Sequence, residues 1–215
     1  NINGQDHVTE LKLIANNLKG EIPDLSGLKK LKYLYLHNNK ISKFIDGSWD
    51  LPELTHLYIN NNQLTNIPNN IGNIPNLMDL QLENNLITSL PLIDKPLEKI
   101  QILNLSNNKF ETISDGIGAF TKIIKLYIRN NPLKEVSPKI ANCKDLLTLA
   151  IHFDGYQNFQ SAINSLTNLQ KIDIQGIKDH EVDIRNLKKL NVISFNRTKL
   201  KTIKIGVENT INLKI

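Results

Sequence analysis

Leu31-Lys-Tyr-Leu34-Tyr-Leu36-His-Asn-Asn39-Lys-Ile41 is the stretch that decides the fold of this chain. Counting Leu31 as position 1, apolar residues stand at positions 1, 4, 6 and 11, and an asparagine stands at position 9. The same phrase runs from Leu54 to Leu64 and from Leu77 to Ile87. Val8, Leu31, Leu54, Leu77, Ile100, Ile123, Leu146 and Leu169 open successive repeats 23 residues apart, and Leu190 follows after 21. A fixed period of this length means a solenoid, in which each repeat buries its apolar face only by stacking on its neighbours.

Positions 4 and 6 alternate with polar residues, the period-two pattern of a strand with one buried face. The pairs are Leu11/Leu13, Leu34/Leu36, Leu57/Ile59, Leu80/Leu82, Leu103/Leu105, Leu126/Ile128, Leu149/Ile151, Ile172/Ile174 and Ile193/Phe195. They predict an α/β solenoid with about nine short parallel strands. After each strand the chain must turn away and leave backbone donors and acceptors inside. A buried Asn amide satisfies both kinds, which accounts for Asn16, Asn39, Asn62, Asn85, Asn108 and Asn131 at position 9. The column then breaks at Asp154, Ile177 and Thr198. Later in each repeat the apolar residues are spaced by three and four, as in Leu64, Ile67, Ile71 and Ile74, and predict irregular, 3-10 or short helical segments on the convex side. Pro68 and Pro91 have the fixed φ that suits the start of such a turn.

These phrases resemble the leucine-rich-repeat family over essentially the whole chain, which implies a horseshoe with its strands on the concave face. We read residues 1–215 as a single domain, with a terminal segment at 211–215. Leu18-Lys-Gly20-Glu-Ile22-Pro23 is similar to the plant-type L-x-G-x-I-P subclass, and later repeats read as a shorter I/L-P form, as in Asn66-Ile-Pro68. The mixture resembles bacterial surface proteins lacking cysteine caps, so a secreted or cell-surface location is expected, with a cytoplasmic one still open. The repeat from Leu169 is two residues short and carries the charged stretch Lys178 to Asp183, while Ile211, Leu213 and Ile215 stop mid-phrase. We expect further protein or a partner beyond that edge.

Composition narrows the functional classes. One cysteine excludes an internal disulfide, and Cys143 falls in the packing column of Leu28, Leu51, Ile74, Leu97, Phe120 and Leu166. The net charge of +5 is scattered through every repeat, a solvated surface rather than a basic track, and no nucleic-acid partner is expected. No apolar run reaches the roughly 20 residues needed to span a bilayer, so direct membrane insertion is not expected. Asn1 to His7 lack the blocks of a signal peptide.

Phosphate loops, nucleophile elbows and zinc-protease spacings are missing, so no enzyme activity, cofactor or metal is expected. His152-Phe-Asp154 and Asp179-His180-Glu181 read better as a turn and a solvated loop than as metal ligands. Asn104-Leu-Ser106 and Asn196-Arg-Thr198 match the N-glycosylation triplet by chance in an Asn-rich chain.

Binding therefore points to the concave face. Positions 2, 3, 5, 7 and 8 point outward from the sheet. They display Tyr33, Tyr35 and His37, then His56 and Tyr58, Asp79 and Glu83, Lys125, Tyr127 and Arg129, and finally His152 and Phe153. Tyrosine offers large contact area and a hydroxyl at low entropic cost. Aromatic residues also favour strands without any ligand. Family resemblance implies recognition on this face, and the mixed signs of Asp79, Glu83, Lys125 and Arg129 suit a protein or peptide. A structural spacer and a carbohydrate-binding surface are the alternatives. The sequence leaves oligomeric state open.

Overall fold

The computed structural model describes residues 7–44, 49–93, 96–157, 159–177 and 181–206, with only the backbone of 154–157. Lys178, Asp179 and His180 and the terminal Ile211, Leu213 and Ile215 lie outside the described residues, as does the side chain of Asp154.

Among the described residues nine parallel strands form one continuous path, one per coil. They are Glu10–Lys12, Tyr33–Tyr35, His56–Tyr58, Asp79–Gln81, Ile102–Asn104, Lys125–Val136, Thr148–Gln157, Lys171–Gln175 and Val192–Asn196. Register follows the repeat: Leu11, Leu34, Leu57, Leu80, Leu103, Leu126, Leu149, Ile172 and Ile193 lie side by side. From Leu34 to Ile172 these residues are buried, and with Leu36, Ile59, Leu82, Leu105, Ile128, Ile151 and Ile174 they form the rungs of one aliphatic core. Slipping one strand by a residue would turn its whole rung into solvent, so burial pins the register.

The asparagine column explains how the chain leaves each strand. Asn85 Nδ2 donates to the carbonyls of Leu82 in its own coil (3.0 Å) and Ile59 in the coil before (3.1 Å), while its Oδ1 accepts from Leu64 N (3.0 Å). Asn39, Asn62, Asn108 and Asn131 repeat the pattern. The preceding residue makes the reversal. Asn38, Asn61, Asn84, Asn107 and Asn130 all hold φ between 52° and 61°, the left-handed region that asparagine tolerates better than most residues. Gly176 and Arg197 occupy the same place in coils eight and nine with φ of 86° and 53°.

Convex segments are short. The 3-10 turns Asn69–Asn73, Asp115–Ala119 and Pro138–Asn142 and the α-helix Phe159–Ser165 bury Ile71, Ile117, Ile140 and Ile163. Pro68 leads into the first turn as expected, but no helix forms at 91–93 after Pro91. Short strand pairs also occur, which the spacing did not suggest: Lys19–Glu21 with Lys40–Lys43, Thr112–Ile113 with the far end of Lys125–Val136, and Glu181–Asp183 with Thr202–Lys204.

One outward assignment is overturned. Phe153 is fully buried and stacks on Phe159 of the α-helix, with ring centroids 4.4 Å apart. The other coils reverse at position 8 through a left-handed residue. In coil seven the strand runs on through Gln157, and strict alternation after Leu149 and Ile151 carries Phe153 inward. In the sheet it stands beside Leu133, the apolar position-11 residue of coil six.

Candidate ligand-binding face

Positions 3, 5 and 7 of each coil stand on the opposite side of the sheet from the core. In the position-3 column Glu10, Tyr33, His56, Asp79, Ile102 and Lys125 are adjacent in that order. In the position-5 column the order is Lys12, Tyr35, Tyr58, Gln81, Asn104, Tyr127, Ala150 and Asp173. Parallel pairing in register thus brings residues 23 apart in sequence to about 4.8 Å in space.

Coils two and three assemble an aromatic cluster. Tyr33 and His56 lie with ring centroids 4.8 Å apart, and Tyr35 meets Tyr58 edge to face at 5.2 Å. His56 and Tyr58 are 6.0 Å apart, and Tyr35 and His37 are 6.3 Å apart. Such ring pairs contribute about 0.5–1.5 kcal/mol each beyond their buried area. Tyr33 is 37% exposed, and Tyr35, Tyr58, His37 and His56 are half-buried, so the rings present faces and edges to solvent. Lys12 Nζ sits 5.5 Å from the centre of the Tyr35 ring while pairing with Glu10 at 2.9 Å.

The cluster is anchored by Asp79, only 9% exposed. Tyr58 Oη donates to Asp79 Oδ2 at 2.9 Å, and Gln81 Nε2 donates to Oδ1 at 2.6 Å. Burial and then the bond to Asp79 push the Tyr58 phenol well above its ordinary range, so it remains a donor. Thr55 Oγ1 and His56 Nδ1 share a hydrogen bond at 2.8 Å, which fixes the imidazole against Tyr33.

The remaining predicted residues are placed differently. Glu83 accepts from Asn104 Nδ2 (3.1 Å) and Asn107 Nδ2 (3.0 Å), and beside it the amides of Asn38, Asn61 and Asn84 are linked in a row. Tyr127 is half-buried and three coils away from Tyr58, outside the ring cluster. Lys125 is exposed and His152 half-buried. Arg129 is not a free basic group. Its Nη2 reaches Asp173 Oδ2 at 2.5 Å, two coils on, across coil seven where Ala150 offers only a methyl group.

Lys12 and Asp173 are thus parts of the face that the sequence reading does not single out. Lys12 was detectable one coil up the Tyr35 column. The Arg129–Asp173 pair joins residues 44 apart in sequence, a relation no local pattern carries.

Among the described residues no group of three or more His, Cys, Asp or Glu is placed to hold a metal ion, and no helix is long and apolar enough to cross a membrane. Cys143 is buried, and desolvation pushes its thiol up to about 12.

A family profile described as "Leucine rich repeat" matches residues 6–64, and a second, "Leucine Rich Repeat", matches residues 99–120. No curated protein matches the chain in sequence. Solved structures share the fold. A leucine-rich-repeat protein of Leptospira interrogans superposes with a TM-score of 0.63 at 18% identity, over 95% of this chain and 79% of that one. Internalin C2 of Listeria monocytogenes gives 0.70 at 22% identity, over 89% and 82%. A structure of PEPR1–AtPEP1 gives 0.56 at 21% identity, over 92% of this chain but only 38% of that one. Proteins of this fold are commonly interaction modules. With repeat profiles on coils one to three and coil five, and the same stacked coils in all three structures, the chain carries leucine-rich repeats and has the leucine-rich-repeat fold.

Proposed function

We propose that this protein is a noncatalytic recognition module that binds a peptide or protein through its concave face, anchored on Tyr33, Tyr35 and Tyr58 with His37 and His56 beside them. The observation that carries this reading is the ring cluster on coils two and three, where partly exposed aromatic faces are held by the Tyr58–Asp79–Gln81 bonds to coil four. Rigid aromatic anchors lose little entropy on binding, the condition under which contact area becomes affinity. Tyr127 and Lys125 extend the footprint toward coil six, and the Arg129–Asp173 pair closes it between coils six and eight. Solution of the fold in PEPR1–AtPEP1 supports the assignment. A secreted or bacterial surface location belongs to the same proposal, supported by the shared fold of the Leptospira and Listeria proteins, and cell fractionation tests it.

Alanine at both Tyr35 and Tyr58 is expected to weaken binding of the physiological partner by at least about 30-fold, the ~2 kcal/mol typical of buried aromatic hot spots. Titration calorimetry on a double variant with a native circular dichroism spectrum measures it, and unchanged affinity removes the cluster from the site.

A further inference from the structure

The charges of the concave face are sorted along the array. At positions 3, 5 and 7 of coils one to four stand three carboxylates, Glu10, Asp79 and Glu83, and one cation, Lys12, although the chain as a whole has a net charge of +5. Glu10 and Lys12 pair with each other at 2.9 Å. Asp79 and Glu83 are held only by neutral donors, Tyr58 and Gln81 for the first and Asn104 and Asn107 for the second, and among the described residues neither has an ion-pair partner. They stand two residues to either side of Gln81, which lies beside Tyr58 in the sheet, so the two carboxylates bracket the Tyr58 ring. Asp79 is 9% exposed, and a carboxylate so enclosed is poorly screened by water and raises a negative potential over the neighbouring rings. A cation already uses the edge of this ring surface. Lys12 Nζ sits 5.5 Å from the centre of the Tyr35 ring, inside the ~6 Å reach of a cation–π contact, and among the described residues no other cation lies over a ring of the cluster.

Resting on the recognition reading above, we propose that the ring cluster takes the guanidinium of an arginine on the partner polypeptide, laid over Tyr58 between Asp79 and Glu83. A guanidinium is planar and weakly hydrated, so it stacks on a ring face while its N–H edge stays free for a carboxylate. Glu83 is half-buried, and an ionised carboxylate has about four acceptor sites, of which Asn104 and Asn107 use two. Asp79 acts through its field, since its side chain is enclosed. An acidic or phosphorylated segment would meet both carboxylates with like charge. Exposed Lys125 on coil six reverses the sign further along the face, so the arginine is anchored at the coil three to four end and not there.

The test titrates the whole chain with an acetylated, amidated heptapeptide carrying one central arginine flanked by leucine, glycine and serine. Its twin has citrulline, of the same shape without the charge, in place of the arginine. In two-dimensional NMR the arginine peptide is expected to shift the Tyr33, Tyr58 and Glu83 resonances and to bind at least about tenfold more tightly than the citrulline peptide. Asp79→Asn with Glu83→Gln is expected to bring that ratio close to one. Both replacements keep an oxygen for the existing donors, and Glu83→Gln alone gives the same comparison, with a smaller fall, if the double variant loses its native circular dichroism spectrum. Equal affinity for the two peptides at the concave strands, or a ratio that survives in the carboxylate variants, overturns the arginine assignment and leaves concave recognition standing. No shift on the concave strands with either peptide, or shifts indifferent to Tyr35→Ala with Tyr58→Ala, overturns both.

Discussion

Asn85 shows how one residue type serves the whole array. The carbonyls of Ile59 and Leu82 each receive a second asparagine, from Asn62 and Asn108, but the buried Leu64 N–H depends on Asn85 Oδ1 alone among side chains. Asn85→Leu is therefore expected to cost about 2–3 kcal/mol in urea unfolding, mainly the orphaned amide. Asn85→Asp costs more, because it removes the donors and buries a charge. Cys143 gives a residue-scale pH prediction. Its thiol is pushed up to about 12 by burial, so Ellman's reagent at pH 8 is expected to label it only after denaturation. An unfolded thiol ionises near pH 8.5, so the stabilisation from keeping Cys143 neutral is full below that pH and is lost as pH rises toward about 12. Both roles were legible from their columns, because position in a strict repeat already states depth.

Elements show where that legibility stops. Coil seven keeps Leu149 and Ile151 in step, yet its strand continues through Gln157 and delivers Phe153 to Phe159. Column position alone put Phe153 outside. The deciding variable was whether position 8 adopts the left-handed turn, which Ala15, five asparagines, Gly176 and Arg197 do elsewhere. Phe153→Ala is expected to cost about 3–5 kcal/mol by opening a cavity under the α-helix, read by chemical denaturation. Inter-coil spacing is equally strict at Gly116, where an added Cβ would lie 2.3 Å from the Pro91 carbonyl oxygen. Gly116→Ala is expected to destabilise by about 1–3 kcal/mol through overpacking. Gly118→Ala meets the Asn142 and Lys139 side chains at 3.2 Å and should cost less, and thermal melts of the two variants compare them.

At the scale of the molecule, contacts run between neighbouring coils and stability is close to a sum of local interfaces. Ion pairs such as Lys30–Glu53 and Lys134–Glu111 bridge coils on the exposed surface, where water and salt screen them. Leu57, Leu80, Leu103 and Leu126 are fully buried, whereas Ile193, Phe195, Leu200 and Ile205 of coil nine are only partly so. Hydrogen exchange is therefore expected to show strongest protection in coils three to six and a decline toward coil nine. The sequence by itself determined the solenoid, the nine-strand register, the inward leucine rungs and the outward tyrosines, because a 23-residue period repeats one local rule along one dimension. Only the tertiary structure decided that Phe153 turns inward, that Arg129 is tied to Asp173 across Ala150, and that Lys12 reaches the Tyr35 ring. Those arrangements depend on backbone reversal and on the space left by side chains in neighbouring coils, quantities set when the coils stack.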